Sequence, residues 1–482
     1  MTILVLDIGS SSLKAALYSI GGVLLDRADA AYAKAMSDHR QNPDDWWQAV
    51  IAAIGKMSEK PTSAVVLTGT MENLIPVDLH ARPTMNAILY SDPVGEPFFA
   101  QHAEELERRN AIATLGNAPE PLMTAFKAMA LRATDPDAFA NARYFLPGAK
   151  DAIVYRLTGR AVTDPVTATT TGLMDFERRD WSSDLLAFFG LSRDQLPEIM
   201  PADAIVGYLE QRAATEIGLA TGLPVINGCG DAGATTLGSG ARSNGDTSLH
   251  LGTTGWVARV LEESPGQRSG NFYRLAHPIS KQTIAIAPIL SAGAAIRWAH
   301  TALNLDPARA EALALEADSD PSDVVFLPYL SGERSPFLDL DVRAGFVGIS
   351  ANAGPGDLYR SVLEGVGLAI SANLDLLGHG TGEVSLVGGG ALSPLWSQII
   401  ADLLGRPLNV PADPVAATAL GGWQIGCAAL GIDAIGQQAP HIVEPRTDRL
   451  NRSERLKKIF DAATRHARSL ASADRKLEQP EP

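Results

Sequence analysis

The sequence predicts an α/β protein of two lobes built on a duplicated unit, and three observations carry that reading. At 482 residues the chain is longer than one hydrophobic core usually serves. Near its middle the apolar strand Leu223, Pro224, Val225, Ile226 runs into Asn227-Gly228-Cys229-Gly230-Asp231-Ala232-Gly233 and then an Ala/Thr-rich helix. Finally, Leu249-His250-Leu251-Gly252-Thr253-Thr254-Gly255 nearly repeats Leu6-Asp7-Ile8-Gly9-Ser10-Ser11-Ser12 at an offset of 243 residues, about half the chain. The repeat lays Ser10 over Thr253 and Leu17 over Val260; a chance likeness of two hairpins is the alternative.

Taken in order, Ile3, Val5, Leu13, Ala15 and Leu17 alternate around the Gly9 to Ser12 turn, and Gly21-Gly22 precedes Val23 and Leu24, a meander of antiparallel strands. Asn42 caps a helix with Pro43 at its first position, Asp44 and Asp45 in its first turn, and Trp46, Trp47, Val50, Ile51 and Ile54 on the buried side. A strand follows over Ala64 to Leu67. The segment from Glu96 to Arg143 reads mostly helical, as does Asp184 to Phe189. Asn244-Gly245-Asp246 is a strong turn, so the lobes divide near Arg242: 1–242, then 243–450, then a terminal helix and polar tail over 451–482. In the second half the pattern gives a helix over Ala292 to Leu303, a strand over Val324 to Leu327 and a helix over Asp357 to Leu376. A strand at Val384 to Val387 runs into Gly388-Gly389-Gly390. Ser393-Pro394 then opens a helix that keeps its apolar spacing up to Gly405.

Forty Lys and Arg against 55 Asp and Glu give a net charge of −15, which opposes non-specific attachment to nucleic acid or anionic membrane. A phosphate ligand would then be held by local backbone donors or a metal. Cys229 and Cys427 form no disulfide framework or metal-ligand spacing, which suits a reducing cytoplasm. The amino terminus opens directly on a strand pattern, with no signal-type segment expected. Pro414 to Ile432 is uncharged, but its Ala, Gly, Thr418 and Gln424 describe a buried helix and not a membrane span.

Glycine-hydroxyl turns suit phosphates, because a residue without Cβ lets backbone amides approach the oxygens while Ser and Thr add uncharged donors. Gly9, Ser10 and Ser11 form one such turn; Gly252, Thr253 and Thr254 form the other. Asp7 either holds Mg²⁺ or caps its own turn. Asp231 either serves as a general base for a substrate hydroxyl or caps its helix. Gly388 to Gly390 offers backbone to a phosphate or a flat ring, or makes a plain strand-to-helix turn. A P-loop is excluded, while Gly228 to Gly233 satisfies Gly-x-Gly-x-x-Gly and keeps an NAD-dependent dehydrogenase open.

Together these motifs resemble the FGGY carbohydrate kinases, and among them the xylulose kinases most. The likeness runs from Leu4 to about Gly431. It includes Leu6 to Lys14, Asn42 to Trp47, Tyr155-Arg156-Leu157-Thr158-Gly159, Gly230-Asp231-Ala232, Leu327 to Pro336, and Val387 to Ala391. The resemblance implies two domains of the duplicated actin-like ATPase (ribonuclease H-like) fold around a deep cleft that holds Mg²⁺, ATP and a small sugar or polyol. It implies Asp231 as base, Asp7 near the metal, and the two glycine turns around the phosphates. Gly293, Gly389, Ser393 and Trp396 would line the nucleotide site, and Met71, Glu72, Asp92 and Asp231 the sugar. A homodimer is implied by the family alone. Gly332-Glu333-Arg334 lies near the cleft in the family, with an ion pair between domains as the other reading. The departures fall in the sugar pocket. Gly69-Thr70-Met71-Glu72-Asn73 replaces Gly-Gln-Met-His-Gly, and Tyr90-Ser91-Asp92-Pro93-Val94 replaces Trp-Asn-Asp-x-Arg, losing the arginine. The expectation is an ATP-dependent kinase of a pentulose such as xylulose; a nucleotide-binding regulatory protein of the same fold is the alternative.

Overall fold

A computed structural model describes residues 1–33, 39–58, 62–262, 271–319, 321–378, 380, 382–434 and 439–478. Its first sheet has six strands in the order Leu24–Ala31, Ser12–Ser19, Thr2–Ile8, Ala64–Gly69, Pro224–Gly230, Ile205–Tyr208. The opening three pair antiparallel, the next two join in parallel, and the last is antiparallel. The second sheet repeats that order and sense through Thr283–Ile289, Gly255–Leu261, Thr247–Leu251, Val384–Val387, Leu408–Val410 and His441–Val443. Tyr273–Ala276 adds a seventh strand outside Thr283–Ile289. The duplication expected from two short turns therefore extends over six strands in each lobe.

The strands at the centre are covered on both faces, which is why Thr2–Ile8 and Ala64–Gly69 read as continuous apolar runs. Asn42 caps the helix Pro43–Lys56 through the Asp44 amide at 3.0 Å, and Trp46 and Trp47 are fully buried beneath it. The stretch expected to be helical contains Glu96–Arg108, Ala111–Leu115, Thr124–Thr134 and Pro136–Asn141. Gly405, at φ 63°, ends the helix Pro394–Leu404. The terminal helix runs over Leu450–Glu478, further than the expected tail allowed, with Leu456 and Phe460 buried in the second core; residues 479–482 lie outside the described residues.

One helix joins the lobes. Ala417–Ala429, from the second half of the sequence, packs across Asp231–Gly238 so closely that a Cβ on Gly421 would sit 1.9 Å from the Ala234 carbonyl. A Cβ on Gly238 would sit equally close to the carbonyl of Ala417. The same helix lies on the first sheet through Gly422 and Gly426, and the Trp423 indole donates to the Ser19 carbonyl at 2.9 Å. The Ala/Gly composition that raised the membrane question is thus a packing requirement. Among the described residues no helix is long and apolar enough to cross a membrane, and both cysteines are free and buried.

Candidate active site

Asp231 owes its place to a bulge. The register of Pro224–Gly230 against Ala64–Gly69 shifts between Ile226 and Cys229, and Gly228 takes up the extra residue at φ 67°. A Cβ there would lie 1.6 Å from the Leu67 carbonyl. Upstream of the bulge, the buried Asn227 amide donates to the carbonyls of Thr163 and Met200, both at 2.9 Å. Its oxygen accepts from Lys150 Nζ at 3.1 Å. Lys150 also pairs with Asp151 at 2.7 Å and Asp164 at 3.1 Å, all three side chains being fully shielded from solvent. Asp231 then emerges as the first residue of its helix. Gly230 holds the cap position, so the helix-capping alternative does not apply; Asp231 Oδ1 accepts from the Ala232 amide at 2.8 Å.

The same glycines account for the Gly-x-Gly-x-x-Gly pattern. Gly228 abuts the Leu67 backbone, Gly230 the Met71 sulfur and Gly233 the Val166 side chain. All three serve close packing, which leaves the dehydrogenase reading without its cradle.

Burial raises the Asp231 carboxyl to about 7, with the charge of Asp7 the next cause. Asp7 is the last residue but one of the first strand and, among the described residues, takes no amide of its own turn; its carboxylate accepts from Thr68 Oγ1 at 3.0 Å, and burial raises its pKa too. In the Gly9 to Ser12 turn, Tyr32 donates to the Gly9 carbonyl at 2.7 Å and Gln41 to the Ser10 carbonyl at 2.9 Å. The hydroxyls of Ser10 and Ser11 are exposed and have no partner among the described residues. Lys14, paired in register with Asp7, exerts its charge on both Asp7 and His250. It therefore stands between the corresponding strand ends of the two lobes.

In the second turn, Gly252 and Thr253 give their carbonyls to the Gly293 and Ala294 amides, each at 2.9 Å. A Cβ on Gly293 would meet the Gly252 carbonyl at 2.5 Å, so this glycine holds the turn against the helix Gly293–Ala302. The hydroxyls of Thr253 and Thr254 remain exposed. Gly388, at φ 91°, packs against Leu251, whereas Gly389 opens onto free space. Ser393 is engaged: it caps Trp396 and donates to Glu311 at 2.7 Å. Trp396 departs from its expected place beside a nucleoside. Its ring is buried in the second core beneath Gly390, with Nε1 on the Leu363 carbonyl at 3.1 Å, because the apolar spacing of Pro394–Leu404 turns that face inward.

At the other end, Asn73 is fully buried and fixes the loop after Ala64–Gly69, accepting from the Tyr90 amide at 3.0 Å. Glu72 is held there at φ 60°, its carbonyl accepting from Lys127 Nζ at 2.8 Å. The Glu72 carboxyl has no hydrogen-bond partner among the described residues, and burial raises it to about 7. Asp92 pairs with Arg40 at 2.6 Å and takes the Val94 amide at 2.9 Å. Arg40 thus supplies the guanidinium that Val94 does not. The Glu333-Arg334 loop makes the ion pair between lobes: Arg334 binds Glu120, which also accepts from Tyr273 at 2.7 Å. Glu333 faces the backbone instead, accepting from the Leu290 and Arg334 amides.

Five of these groups escaped the sequence. Arg40, Glu120 and Tyr273 join the site only through tertiary contacts, and nothing local marks them. Lys127 left a trace as one of two charges within Thr124–Thr134, and Lys14 lies opposite Asp7 once the hairpin is drawn. An apolar groove of about 1080 Å³ lies between the terminal helix and the strand Gly345–Val347, and holds none of these residues. Chemistry, not size, selects the cleft.

Comparison with known proteins agrees. Residues 2–238 match the N-terminal domain, and residues 249–430 the C-terminal domain, of the FGGY family of carbohydrate kinases. The chain is 32% identical to the xylulose kinase of Escherichia coli K12 over 436 residues, 86% of this chain and 87% of that one. It is 25% identical to the gluconokinase of Bacillus licheniformis, covering 97% and 98% of the two. A crystal structure of a xyloylose kinase from Brucella ovis superposes with a TM-score of 0.87 at 27% identity, over 98% of this chain and 100% of that one.

Proposed function

The chain belongs to the FGGY family of carbohydrate kinases, with its two-domain actin-like ATPase fold, and from that premise we propose that it phosphorylates a hydroxyl of a pentulose such as xylulose. Residues 1–242 form the lobe that binds the sugar and carries the base, 243–450 the lobe that binds ATP, and 451–482 a terminal helix with its tail.

The observation that carries the reading is a carboxyl at the first position of a helix, raised to about 7 and electrostatically coupled to a second carboxyl near the end of a central strand of the same sheet. A base with that affinity takes a proton from an alcohol as the alcohol oxygen attacks, an effect worth about 10²–10⁴ in rate. The new bond joins the sugar oxygen to the γ-phosphorus, the bond to the β,γ-bridging oxygen breaks, the proton passes to Asp231, and ADP leaves. Ser10, Ser11, Thr253 and Thr254 offer hydroxyls to the phosphates, Gly389 leaves room for the nucleoside, and Lys14 adds a cation between the lobes. The donor set fits Mg²⁺, which favours one or two carboxylates plus phosphate oxygens; held by Asp7 directly or through water, it would neutralise charge on the phosphates. Met71, Glu72 and Asp92 line the sugar end.

A panel of ketoses, polyols and aldoses with ADP detection tests this. ADP release that depends on a pentulose is expected. Release at the same rate without any sugar overturns the reading.

A further inference from the structure

The sugar end of the cleft is a set of charges in which the cations are already engaged. Arg334 reaches from the second lobe to Glu120 in the first, its guanidinium lying 5.2 Å from the Tyr273 ring centre, while the Tyr273 hydroxyl donates to the same Glu120 oxygen at 2.7 Å. Arg40 is paired with Asp92 at 2.6 Å. Lys127 gives protons to the carbonyls of Glu72 and Leu122. The Glu72 carboxyl, by contrast, has no hydrogen bond from the described residues, although its loop is fixed by the buried Asn73. Lys127, Glu120 and Arg334 all act on it electrostatically.

We propose that Glu120 and Glu72 restrict this pocket to uncharged polyhydroxy substrates, Glu120 by occupying the guanidinium of Arg334 and Glu72 by offering an unengaged carboxyl to sugar hydroxyls. The inference rests on the kinase reading above and deepens it. A carboxylate-bearing substrate such as an aldonate needs a cation whose charge is not already balanced, and the charge of Arg334 is balanced by Glu120 as that of Arg40 is by Asp92. Above about pH 7, where Glu72 and Asp231 are mostly ionised, the approach of a further anion in a site shielded from water is penalised more heavily than at a surface. Hydroxyls, which donate, meet Glu72 as a partner, and a sugar lacking the matching hydroxyl leaves that carboxyl unpaired. Glu120 acts through Arg334 and is a positioning residue; Glu72 touches the substrate.

The test compares kcat/KM on D-xylulose, D-ribulose and gluconate for the wild type, Glu120→Gln and Glu72→Gln, with circular dichroism to confirm folding. The wild type should favour the better neutral sugar over gluconate by about 100-fold or more. Glu120→Gln frees Arg334 and should narrow that ratio at least about tenfold through a gain on gluconate, which damage to the fold does not produce. Glu72→Gln should raise KM for the neutral sugar roughly tenfold while leaving kcat nearly unchanged. A wild type that uses gluconate as well as the neutral sugar overturns the proposal and leaves the kinase reading standing, with no variant needed. A ratio that neither variant moves overturns it as well. A wild type that releases ADP at the same rate with and without a sugar or polyol overturns the kinase reading itself.

Discussion

Replacing the proposed base should make the protein more stable. Burial, followed by the charge of Asp7, lifts the Asp231 carboxyl from an ordinary 3.8 to about 7. At about 1.4 kcal/mol per pH unit, keeping this group ionised in the fold costs roughly 4 kcal/mol, or about 2–4 kcal/mol allowing for partial solvent screening. The sign follows from proton binding. Between pH 4 and 7 the folded chain holds a proton that the unfolded chain has released, so the stability from this group is present at low pH and is lost as pH rises to about 7. Asp231→Asn keeps the shape and removes the ionisation. The variant should therefore exceed the wild type in stability at pH 8 by about 2–4 kcal/mol, with the gap closing as pH falls toward 4. A chain of this size melting as one unit would show a gain of roughly 2–4 °C at pH 8. Thermal melts of the two proteins across pH 4–8, without nucleotide, measure it. A variant no more stable than the wild type at pH 8, or a gap independent of pH, refutes the reasoning.

Asp7→Asn removes the charge next to Asp231 and should lower its titration midpoint by about one pH unit while leaving it above 3.8, read by carbon-13 carboxyl NMR of the nucleotide-free protein. Gly228→Ala puts a Cβ 1.6 Å from the Leu67 carbonyl at φ 67° and should cost at least about 3 kcal/mol in chemical denaturation, because neither clashing group is a movable side chain. Trp396→Phe loses the bond to the Leu363 carbonyl, so stability should fall by about 0.5–1.5 kcal/mol while ATP affinity by calorimetry stays within about threefold; a larger drop in affinity would return the indole to the nucleotide.

The parts of this molecule legible in the sequence are those set by local chemistry. The Gly9 and Gly252 turns announced the duplication because each is a strand end whose backbone must bend in place, and the two sheets repeat strand for strand around them. Asn42, Pro43 and Gly405 marked helix ends through the same local rules. Asp231 was legible because strand, glycine turn, acid and helix are contiguous. The sugar end was not. Arg40 and Asp92 lie 52 residues apart, and Glu120 and Arg334 lie 214 apart, so their pairing exists only once the lobes are folded and in contact. Trp396 came to the nucleotide site through the family resemblance, whereas the apolar spacing of its own helix turns the ring into the second core.

Phosphorus-31 NMR of ATP and Mg²⁺ with a pentulose, run with the wild type and with Asp231→Asn after calorimetry has matched their nucleotide affinities, bears most directly on the proton transfer assigned to Asp231. The wild type should build a sugar phosphomonoester signal together with ADP, and the variant should build it at least about 10²-fold more slowly. A monoester formed by the variant at the wild-type rate, or inorganic phosphate as the sole product of the wild type, would contradict the account.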